Sequence, residues 1–369
     1  MQTNNLSSHP RFENLQLENK TILVTGGTGS FGKVFVKRLL SGEQSLPKKV
    51  IVFSRDEAKQ HDMRLEFLQK KAATDEVIYK NFASRLEFRI GDIRSYADVC
   101  SALRGVDIVV NAAALKQVPA CEYFPEQAIL TNCIGPSNIV RAIRENELPV
   151  ETVIGVSTDK ACKPVNVMGM TKALHERIFI SANILNTKTR FACVRYGNVL
   201  ASRGSVIPLF HELIKKGGPL TITTPEMTRF LLNLDQAVDT VFAAIAGAKP
   251  GEIYIPHAPA ALMVNIARAL IGDRDIPIVE TGIRPGEKIH EILVGEEEAP
   301  YTEKRGNFLA IRPMLPELAG SSKDQVQAIT EEFSSGTNLL NYEATVKLLK
   351  LNQLMLEDNP RFNPYEVLR

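Results

Sequence analysis

Two neighbouring residues near the middle of the chain, Asp159 and Lys160, have the types needed for proton transfer. They follow the apolar segment 152–156, and a further lysine, Lys172, comes twelve residues after Lys160. A carboxyl group can act as an acid and an amine as a base when their pKa values move toward neutrality. The alternative interpretation is a solvated turn after a strand. We favour an acid–base pair, because the two residues stand between a buried strand and Lys172.

Glycines at regular intervals follow the first apolar segment, 21–24. They let the backbone approach a pyrophosphate without a clash from a Cβ atom, and apolar residues then recur at helical spacing. A helix that begins here offers free N–H groups and a partial positive charge to the phosphates. Strand, glycine turn and helix together favour a dinucleotide site over a simple tight turn. The predicted contacts are Gly26, Thr28, Gly29, Ser30, Phe31 and Gly32.

The residues after the second apolar segment, 50–53, bear on the choice between NADP and NAD. Ser54 and Arg55 suit a ribose 2′-phosphate, because a guanidinium binds phosphate through two hydrogen bonds. A carboxylate at this point would hold a ribose 2′-hydroxyl, so Asp56 keeps NAD open as the less favoured cofactor. Further along, Asp92 and Ile93 are placed to touch the adenine. The small residues that let a cofactor lie against the fourth strand are Ala112, Ala113 and Ala114.

Apolar strands alternate with helices through the first two hundred residues. This alternation is typical of an α/β protein with a doubly wound parallel sheet. The predicted strands are 21–24, 50–53, 86–90, 106–111, 152–156 and 191–195, and the predicted helices include 56–71, 125–146 and 168–184. We expect residues 68–86 to form a polar insertion.

The regular alternation is lost after about residue 200, where turns, Pro and Gly become frequent. We therefore divide the chain into an N-terminal arm, a dinucleotide-binding Rossmann domain, a smaller substrate region with segments that return to the core, and a peripheral C-terminal tail. These four parts are residues 1–19, 20–200, 201–299 and 300–369.

Six segments, taken in order, resemble one family of enzymes. They are 111–119 (NAAALKQVP), 157–160 (STDK), 195–199 (RYGNV), 202–206 (SRGSV), 227–230 (MTRF) and 284–288 (RPGEK). With the glycine turn, they resemble the extended short-chain dehydrogenase/reductases, and within these the C5-inverting UDP-N-acetylglucosamine 4,6-dehydratases. Members usually carry Tyr-x-x-x-Lys. Lys172 matches the lysine, while Met168 stands where the tyrosine usually does, as it does in the capsule branch of the family.

The resemblance implies a hydro-lyase that makes a UDP-2-acetamido-2,6-dideoxy-4-hexulose for surface polysaccharide or nonulosonic acid synthesis. Oxidation at C4 acidifies the C5 proton; Lys160 would remove that proton, Asp159 would protonate the departing 6-hydroxyl, and Lys172 would hold the nicotinamide ribose. We expect burial and the nearby Lys172 to lower the pKa of Lys160, and a dry site to raise the pKa of Asp159. With Met168 in the tyrosine position, the acceptor of the C4-hydroxyl proton stays open among Asp159, Lys160, a water and Lys116.

The resemblance also implies the remaining contacts of the cofactor and the substrate. The further cofactor contacts are Lys116, Asn132, Ser157, Thr158, Lys172, Tyr196 and Asn198. The substrate contacts are Lys116, Asn198, Arg203, Ser205, Val206, Pro208, Thr223, Arg229, Arg284 and Glu287. Among these, Arg229 and Arg284 would clamp the diphosphate, and Glu287 would accept the ribose hydroxyls.

Other functions remain as alternatives at this stage. One alternative is the same chemistry on another nucleotide sugar, such as a GDP-linked one. A nucleotide-sugar 4-epimerase shares the fold and the cofactor, but it needs no acid–base pair for elimination. A catalytically silent NADP-binding protein is suggested by Met168 and opposed by Asp159, Lys160 and Lys172.

Composition excludes several other classes. Lys and Arg number 44 against 42 Asp and Glu, so the chain lacks the strongly basic character of a nucleic-acid-binding protein. No apolar segment is long enough to span a bilayer, and the first residues lack the apolar core of a signal peptide. The five cysteines and six histidines show no metal-binding spacing. We expect a cytoplasmic enzyme without a metal, and the resemblance implies a homo-oligomer, either a dimer or a hexamer.

Overall fold

The computed structural model describes residues 10–68, 74–200, 205–319 and 327–358. The strands in this part of the chain are β1 (Thr21–Thr25), β2 (Lys49–Ser54), β3 (Leu86–Ile90), β4 (Ile108–Asn111), β5 (Thr152–Thr158), β6 (Arg190–Tyr196), β7 (Leu220–Ile222), β8 (Thr228–Phe230), β9 (Ile253–Pro256), β10 (Ala260–Leu262), β11 (Ile278–Glu280), β12 (Ile292–Val294), β13 (Thr302–Arg305), β14 (Phe308–Ile311) and β15 (Phe333–Ser334).

The main sheet has the spatial order β13-β14-β9-β6-β5-β4-β1-β2-β3. The strands from β9 to β3 run parallel, while β13 and β14 add to one edge as an antiparallel hairpin. All five residues of β1 are buried, as expected for a strand covered on both faces. The strand order reverses between β1 and β4, which is where such sheets bind their ligands. The predicted α/β class with a doubly wound parallel sheet is confirmed.

Helices connect the parallel strands and cover the sheet in two layers. α1, α3 and α10 pack together in one layer, and α4, α7 and α8 pack together in the other. The helices are α1 (Ser30–Ser41), α2 (Glu57–Leu68), α3 (Thr74–Arg85), α4 (Tyr96–Ala102), α5 (Val118–Tyr123), α6 (Pro125–Ile129), α7 (Gly135–Glu145), α8 (Val167–Leu185), α9 (Val206–Lys215), α10 (Leu234–Gly247), α11 (Met263–Ile271), α12 (Pro316–Ala319) and α13 (Tyr342–Leu351). A π-helical turn, Leu130–Ile134, joins α6 to α7.

The described part of the predicted insertion at 68–86 is helical, because it contains α3. Phe82 on α3 stacks on Phe67 of α2 with ring centroids 5.5 Å apart, and the Asn81 side chain donates to the Leu40 carbonyl of α1 at 2.7 Å. The sequence did not predict this helix, because its composition is polar. A few apolar side chains are enough to attach such a helix to the core. Residues 69–73 of the predicted insertion lie outside the described residues.

Parts of the predicted arm and tail belong to the core of the molecule. Leu15 and Leu17 are buried in the main hydrophobic cluster. The hairpin of β13 and β14 continues the main sheet beyond β9, so residues 302–311 are not peripheral. β9 itself returns to the sheet from the predicted substrate region, as the division of the chain anticipated. Residues 1–9 lie outside the described residues, as do 320–326 and 359–369 of the tail.

A second hydrophobic cluster lies under the later segments of the chain. It is formed by side chains of α9, β7, α11 and α13, with Phe210, Ile266 and Leu349 among its buried members. This cluster packs α9, β7, α11 and α13 together. Among the described residues, no helix has the length and apolar character needed to cross a bilayer.

Candidate active site

The carboxyl ends of the parallel strands bring the predicted site residues to one edge of the sheet. Gly26 follows β1, Ser54 ends β2, Ala112 follows β4, Asp159 follows β5 and Gly197 follows β6. Because these strands are parallel neighbours, the segments that leave them share the same edge. At this edge the strand order reverses between β1 and β4, and open α/β sheets bind their ligands at such a point.

The glycine turn is packed too closely to admit side chains. Gly26 has a φ of +66°, and a Cβ atom on it would lie 2.8 Å from the Ala113 nitrogen. A Cβ atom on Gly32 would lie 2.4 Å from the Gly27 Cα. Gly29, the N-cap of α1, provides no side-chain oxygen for the first turn of the helix, so its N–H groups face outward. These features fit a dinucleotide pyrophosphate at the start of α1.

The end of β2 presents a guanidinium to the site and not a carboxylate. The side chain of Arg55 is 60% exposed and lies 4.0 Å from Asp92. Asp56 turns toward its own helix, where it accepts from the Lys59 backbone at 3.0 Å and pairs with the Lys59 amine at 2.5 Å. The Ser54 hydroxyl accepts a hydrogen bond from Gln60 at 3.0 Å.

Both of the predicted adenine contacts, Asp92 and Ile93, have partners within the chain. Asp92 holds the Arg94 guanidinium, with oxygens 2.5 Å from Nη2 and 3.0 Å from Nε. Ile93 is buried, and it packs so closely on Gly135 that a Cβ atom there would lie 3.0 Å from Ile93 Cγ1. The adenine contacts stay predictions. The Ala113 nitrogen donates to the Thr25 hydroxyl at 3.2 Å, which places the alanine segment beside the glycine turn.

Asp159 and Lys160 lie together in the single 3₁₀ turn after β5. Asp159 is fully buried; its Oδ1 lies 3.0 Å from Lys160 Nζ, and its Oδ2 has no hydrogen-bond partner among the described atoms. Lys160 Nζ also lies 3.1 Å from Asn198 Oδ1 and 3.1 Å from Glu291 Oε1. The amine therefore has an oxygen acceptor for each of its three ammonium protons.

The pKa values of this pair agree with one expectation and correct another. Burial raises the pKa of Asp159, in the direction predicted for an acid in a dry site. Burial alone would lower the pKa of Lys160, but the carboxylates of Asp159 and Glu291 outweigh it and raise that pKa above its ordinary value. The predicted decrease was wrong, because the lysine has two carboxylates beside it and its proximity to Lys172 does not determine its charge.

The surroundings of Lys172 lower its pKa, whereas those of Lys160 raise it. Its amine is buried on α8 and contacts Nδ1 of His175, whose ring is fully buried. Nε2 of His175 lies 3.4 Å from the Asn111 amide, and the Asn111 oxygen accepts from the Thr25 hydroxyl at 2.6 Å. Burial lowers the pKa of Lys172 to about 8, and burial together with Lys172 keeps the pKa of His175 well below its usual range. A buried polar chain thus joins this lysine to the end of β1.

Met168 occupies an apolar cluster and contributes no proton carrier. It is buried with Cys121 and Ala128, one turn ahead of Lys172 on α8. Nearby, Asn132 in the π-helical turn accepts from the Leu115 nitrogen at 2.8 Å and donates to the Thr171 hydroxyl at 3.0 Å. The predicted cofactor residue Asn132 thus acts in this structure as a brace between the segment after β4 and α8.

Several predicted contacts line the end of β5 and β6. Thr158 donates to Asp159 at 2.9 Å, and the buried Ser157 hydroxyl has no hydrogen-bond partner among the described atoms. The ring of Tyr196 is buried against that of Phe31, with centroids 6.4 Å apart. Asn198 is exposed apart from its contact with Lys160. The unpartnered Ser157 oxygen is the kind of group that a ligand or a water satisfies.

Several predicted substrate contacts lie after β7, after β11 and at the start of α9. Thr223 donates to Glu287 at 3.3 Å, and Gly286 accepts from the Asn166 amide at 2.8 Å, which attaches the segment 284–288 to the start of α8. Arg284 is exposed on this segment. Three further predicted contacts lie at the start of α9, where Ser205 has a buried hydroxyl without a described partner; they are Ser205, Val206 and Pro208.

Arg229 makes hydrogen bonds within the chain. Its Nη1 donates to the backbone carbonyls of Thr228, Lys288 and Ile289, so this nitrogen braces the chain, and the role of Arg229 as a diphosphate clamp stays a prediction. Lys116 is exposed after β4. Arg203 lies outside the described residues.

Glu291 and His175 belong to the site, although the sequence did not predict them. Glu291 comes three residues after the segment 284–288 and is only 2% exposed. A carboxylate just before the apolar segment Ile292–Val294 was a usable signal for burial with a partner. His175 lies three residues after Lys172 on α8, so the helical spacing of the two residues was a usable signal. Among the described residues, no group of His, Cys, Asp and Glu is arranged to hold a metal ion.

Comparison with protein families gives a match along most of the chain. The model of the family described as "Polysaccharide biosynthesis protein" matches residues 22–313. This range includes both the glycine turn and the Asp159–Lys160 pair, and it agrees with the resemblance found from the motifs.

Two curated relatives have similar identities but different names. The UDP-N-acetylglucosamine 4,6-dehydratase (inverting) of Campylobacter jejuni is 40% identical over 316 residues, covering 85% of this chain and 89% of the relative. A protein named UDP-glucose 4-epimerase, from Rickettsia bellii, is 42% identical over 342 residues, covering 90% of this chain and 95% of the relative. Identity alone therefore does not separate the two activities.

Solved structures share the fold. Pen from Bacillus thuringiensis superimposes with a TM-score of 0.80 at 33% identity, covering 92% of this chain and 99% of that one. The dTDP-glucose 4,6-dehydratase DesIV of Streptomyces venezuelae, solved with NAD bound, has a TM-score of 0.60 at 22% identity over 73% of this chain and 86% of that one.

Proposed function

Because the chain belongs to the polysaccharide biosynthesis protein family, whose named relatives modify nucleotide sugars, we propose that it is a nucleotide-sugar 4,6-dehydratase. Its substrate in this proposal is UDP-N-acetylglucosamine, and the product is the 2-acetamido-2,6-dideoxy-4-hexulose with an inverted C5. The observation that carries the proposal is the buried Asp159–Lys160 pair at the same edge of the sheet as the glycine turn. Elimination of water needs an acid and a base close together, whereas a 4-epimerase does not.

The proposed cofactor is NADP. The closely packed glycine turn suits the pyrophosphate, and the exposed Arg55 suits a 2′-phosphate. Asp56 is occupied by Lys59, so it is poorly placed to hold the 2′-hydroxyl of NAD. When bound, the nicotinamide supplies the acceptor and donor of a hydride. Lys172, which is buried on α8, would hold the ribose.

One proton transfer within the site would prepare both the acid and the base. Lys160 Nζ can pass a proton to Asp159 Oδ1, 3.0 Å away, which leaves a neutral amine and a neutral carboxylic acid. On the 4-ketosugar, the amine takes the C5 proton as the C5–C6 double bond forms. The C6–O bond breaks, the oxygen receives the proton of Asp159, and water leaves. The raised pKa of the buried Asp159 favours the acid form that this step needs.

The nucleotide side of the substrate would lie across the segments 205–208 and 284–287. The hydroxyl of Ser205 has no partner among the described atoms, and the guanidinium of Arg284 is exposed. A hydroxyl and a guanidinium are groups that could bind a uridine diphosphate. The Asn166–Gly286 hydrogen bond fixes the second segment against α8. Substrate binding would therefore place the sugar near the end of β5.

We also propose that the protein works as a homo-oligomer. Apolar side chains remain exposed on one surface formed by α5, α6, the π-helical turn and α8, which we name the α8 surface; they are Tyr123, Phe124, Ile129, Leu130, Ile134, Met170 and Leu174. A second copy of the chain that covers this surface would remove them from water.

The test follows the sugar by NMR with purified protein and UDP-N-acetylglucosamine. A new 6-methyl signal beside a 4-ketone or its hydrate supports the proposal, and the C5 configuration of the product reports inversion. Lys160→Ala should lower turnover by about 10²–10⁴-fold while the dinucleotide still binds. Lys163→Ala, which removes an exposed lysine three residues away, serves as the control. A product inverted only at C4, or no reaction with any UDP- or GDP-sugar, would contradict the proposal.

A further inference from the structure

Glu291 is a second carboxylate beside Lys160, and it comes from a distant part of the chain. Its Oε1 lies 3.1 Å from Lys160 Nζ and 3.7 Å from Arg229 Nε, while its Oε2 has no hydrogen-bond partner among the described atoms. The side chain is 3% exposed. A carboxylate buried this completely is costly unless it is paired, so its contact with Lys160 is a built feature of the site.

The surrounding structure holds this carboxylate firmly. The Glu291 nitrogen donates to the Ser335 hydroxyl at 2.9 Å. The Ser335 and Thr228 hydroxyls share a hydrogen bond, with their oxygens 2.7 Å apart. Arg229 then fastens the preceding residues through the carbonyls of Lys288 and Ile289. Glu291 is therefore presented to Lys160 by three separate segments, around residues 228, 290 and 335.

Resting on the proposed dehydratase function, we propose that Glu291 is a positioning residue that holds Lys160 and sets the proton affinity of the Asp159–Lys160 pair. The negative charge of Glu291 lies beside both groups and disfavours loss of their shared proton. It makes the neutral Lys160 a stronger base toward the C5 proton, and it keeps Asp159 available as an acid. Glu291 exchanges no proton with the substrate in this scheme.

The charges around Glu291 are consistent with this role. The groups that face it are Asp159 and Lys160 after β5, Arg229 on β8 and Lys288 on its own segment. The Lys288 amine donates to the Cys162 carbonyl at 2.6 Å, and the neighbouring His290 ring contacts the Thr228 hydroxyl at 2.8 Å. Burial would raise the pKa of Glu291, but Lys160 and Arg229 keep it below its ordinary value, so the carboxylate is charged near neutral pH.

The test compares Glu291→Gln with the wild-type enzyme on UDP-N-acetylglucosamine across pH. The amide keeps the shape of the side chain and removes its charge. We expect kcat at the optimum to fall at least tenfold, KM to change less than threefold, and both limbs of the pH profile to move to lower pH. The sign follows because Glu291 raises the pKa values of both Asp159 and Lys160, so its removal lowers both. Glu297→Gln, an exposed carboxylate on the same segment, is the matched control.

Other outcomes separate the two proposals. A wild-type enzyme that forms no 4-keto-6-deoxy product overturns the dehydratase function. Normal dehydration by the wild type with an unchanged Glu291→Gln profile overturns the inference alone. A lower kcat with unmoved limbs overturns it too, because a purely structural brace would act in that way. Glu291→Asp keeps the charge, so its pH profile should have the limbs of the wild type. This variant tests the proposal even if Glu291→Gln folds poorly. Shifted limbs in Glu291→Asp would also count against the proposal.

Discussion

Lys160 and Lys172 lie near the same edge of the sheet but have opposite electrostatic surroundings. Lys160 sits between two carboxylates, which raise its pKa, whereas burial beside a neutral His175 lowers the pKa of Lys172 to about 8. Groups whose environments push their pKa values apart are typical of sites that divide acid and base roles. The lysine assigned to the ribose is thus the one that loses its proton more readily, and the proposed base depends on its carboxylate neighbours.

At the same scale, Arg55 should decide the preference for NADP. Its guanidinium is exposed at the end of β2 and Asp56 is engaged by Lys59, so Arg55→Ala should weaken NADP binding about tenfold or more and leave NAD binding within about twofold. Titration calorimetry with both dinucleotides measures this directly. Arg104→Ala, an exposed arginine before β4, is the control. Equal losses for NADP and NAD, or a wild type that prefers NAD, would contradict the assignment.

At the scale of elements, the patterns that are local in sequence could be predicted and those that depend on distant contacts could not. The glycine turn, the strands and the Asp159–Lys160 pair are each encoded within a few neighbouring residues. Glu291 is 131 positions from Lys160, and its contact adds to that of the adjacent Asp159 in raising the pKa of Lys160. The helix α3 was missed for a related reason, because its packing on α1 and α2 compensates for a polar sequence.

Asn166 joins two elements of the site, and this makes a prediction at that scale. Its oxygen caps α8 by accepting from the Gly169 nitrogen at 2.8 Å, and its amide donates to the Gly286 carbonyl at 2.8 Å. Asn166→Ala should lower the free energy of unfolding by about 1–2 kcal/mol and raise KM for the nucleotide sugar. Asn166→Asp keeps the capping oxygen but loses the amide donor, so it should raise KM with a smaller loss of stability.

The control for this pair is Asn341→Ala, which removes an equivalent cap from α13, where Asn341 accepts from the Ala344 nitrogen at 2.8 Å. It should cost a similar free energy of unfolding without changing KM. Denaturant titrations and initial rates provide the two measurements. If KM rises equally in all three variants, the link between α8 and the segment 284–288 does not act on substrate binding.

At the scale of the whole molecule, the two hydrophobic clusters stabilise different parts of the chain. The main cluster stabilises the parallel sheet. It thereby fixes the edge at which the glycine turn follows β1 and Asp159 follows β5. The second cluster carries the segments around α9 and α11 that would bind the nucleotide. The segment 284–291 connects the two regions, because Glu287 accepts from Thr223, which follows β7 of the second region, and Glu291 contacts Lys160 after β5. In the proposed function, this segment would link nucleotide binding to proton transfer at Lys160.

The α8 surface should mediate self-association. Leu174 is 54% exposed near its centre, one turn from Met170, and a stable interface would bury about 800 Å² on each copy. Leu174→Glu would place a charge in that interface, which costs more than about 1.4 kcal/mol, so the dissociation constant should rise at least tenfold. Light scattering over a range of concentrations measures the mass. Leu351→Glu, on the 67% exposed Leu351 of α13, should leave the mass unchanged. A monomeric wild type, or an unchanged assembly of the Leu174 variant, would exclude this surface as the interface.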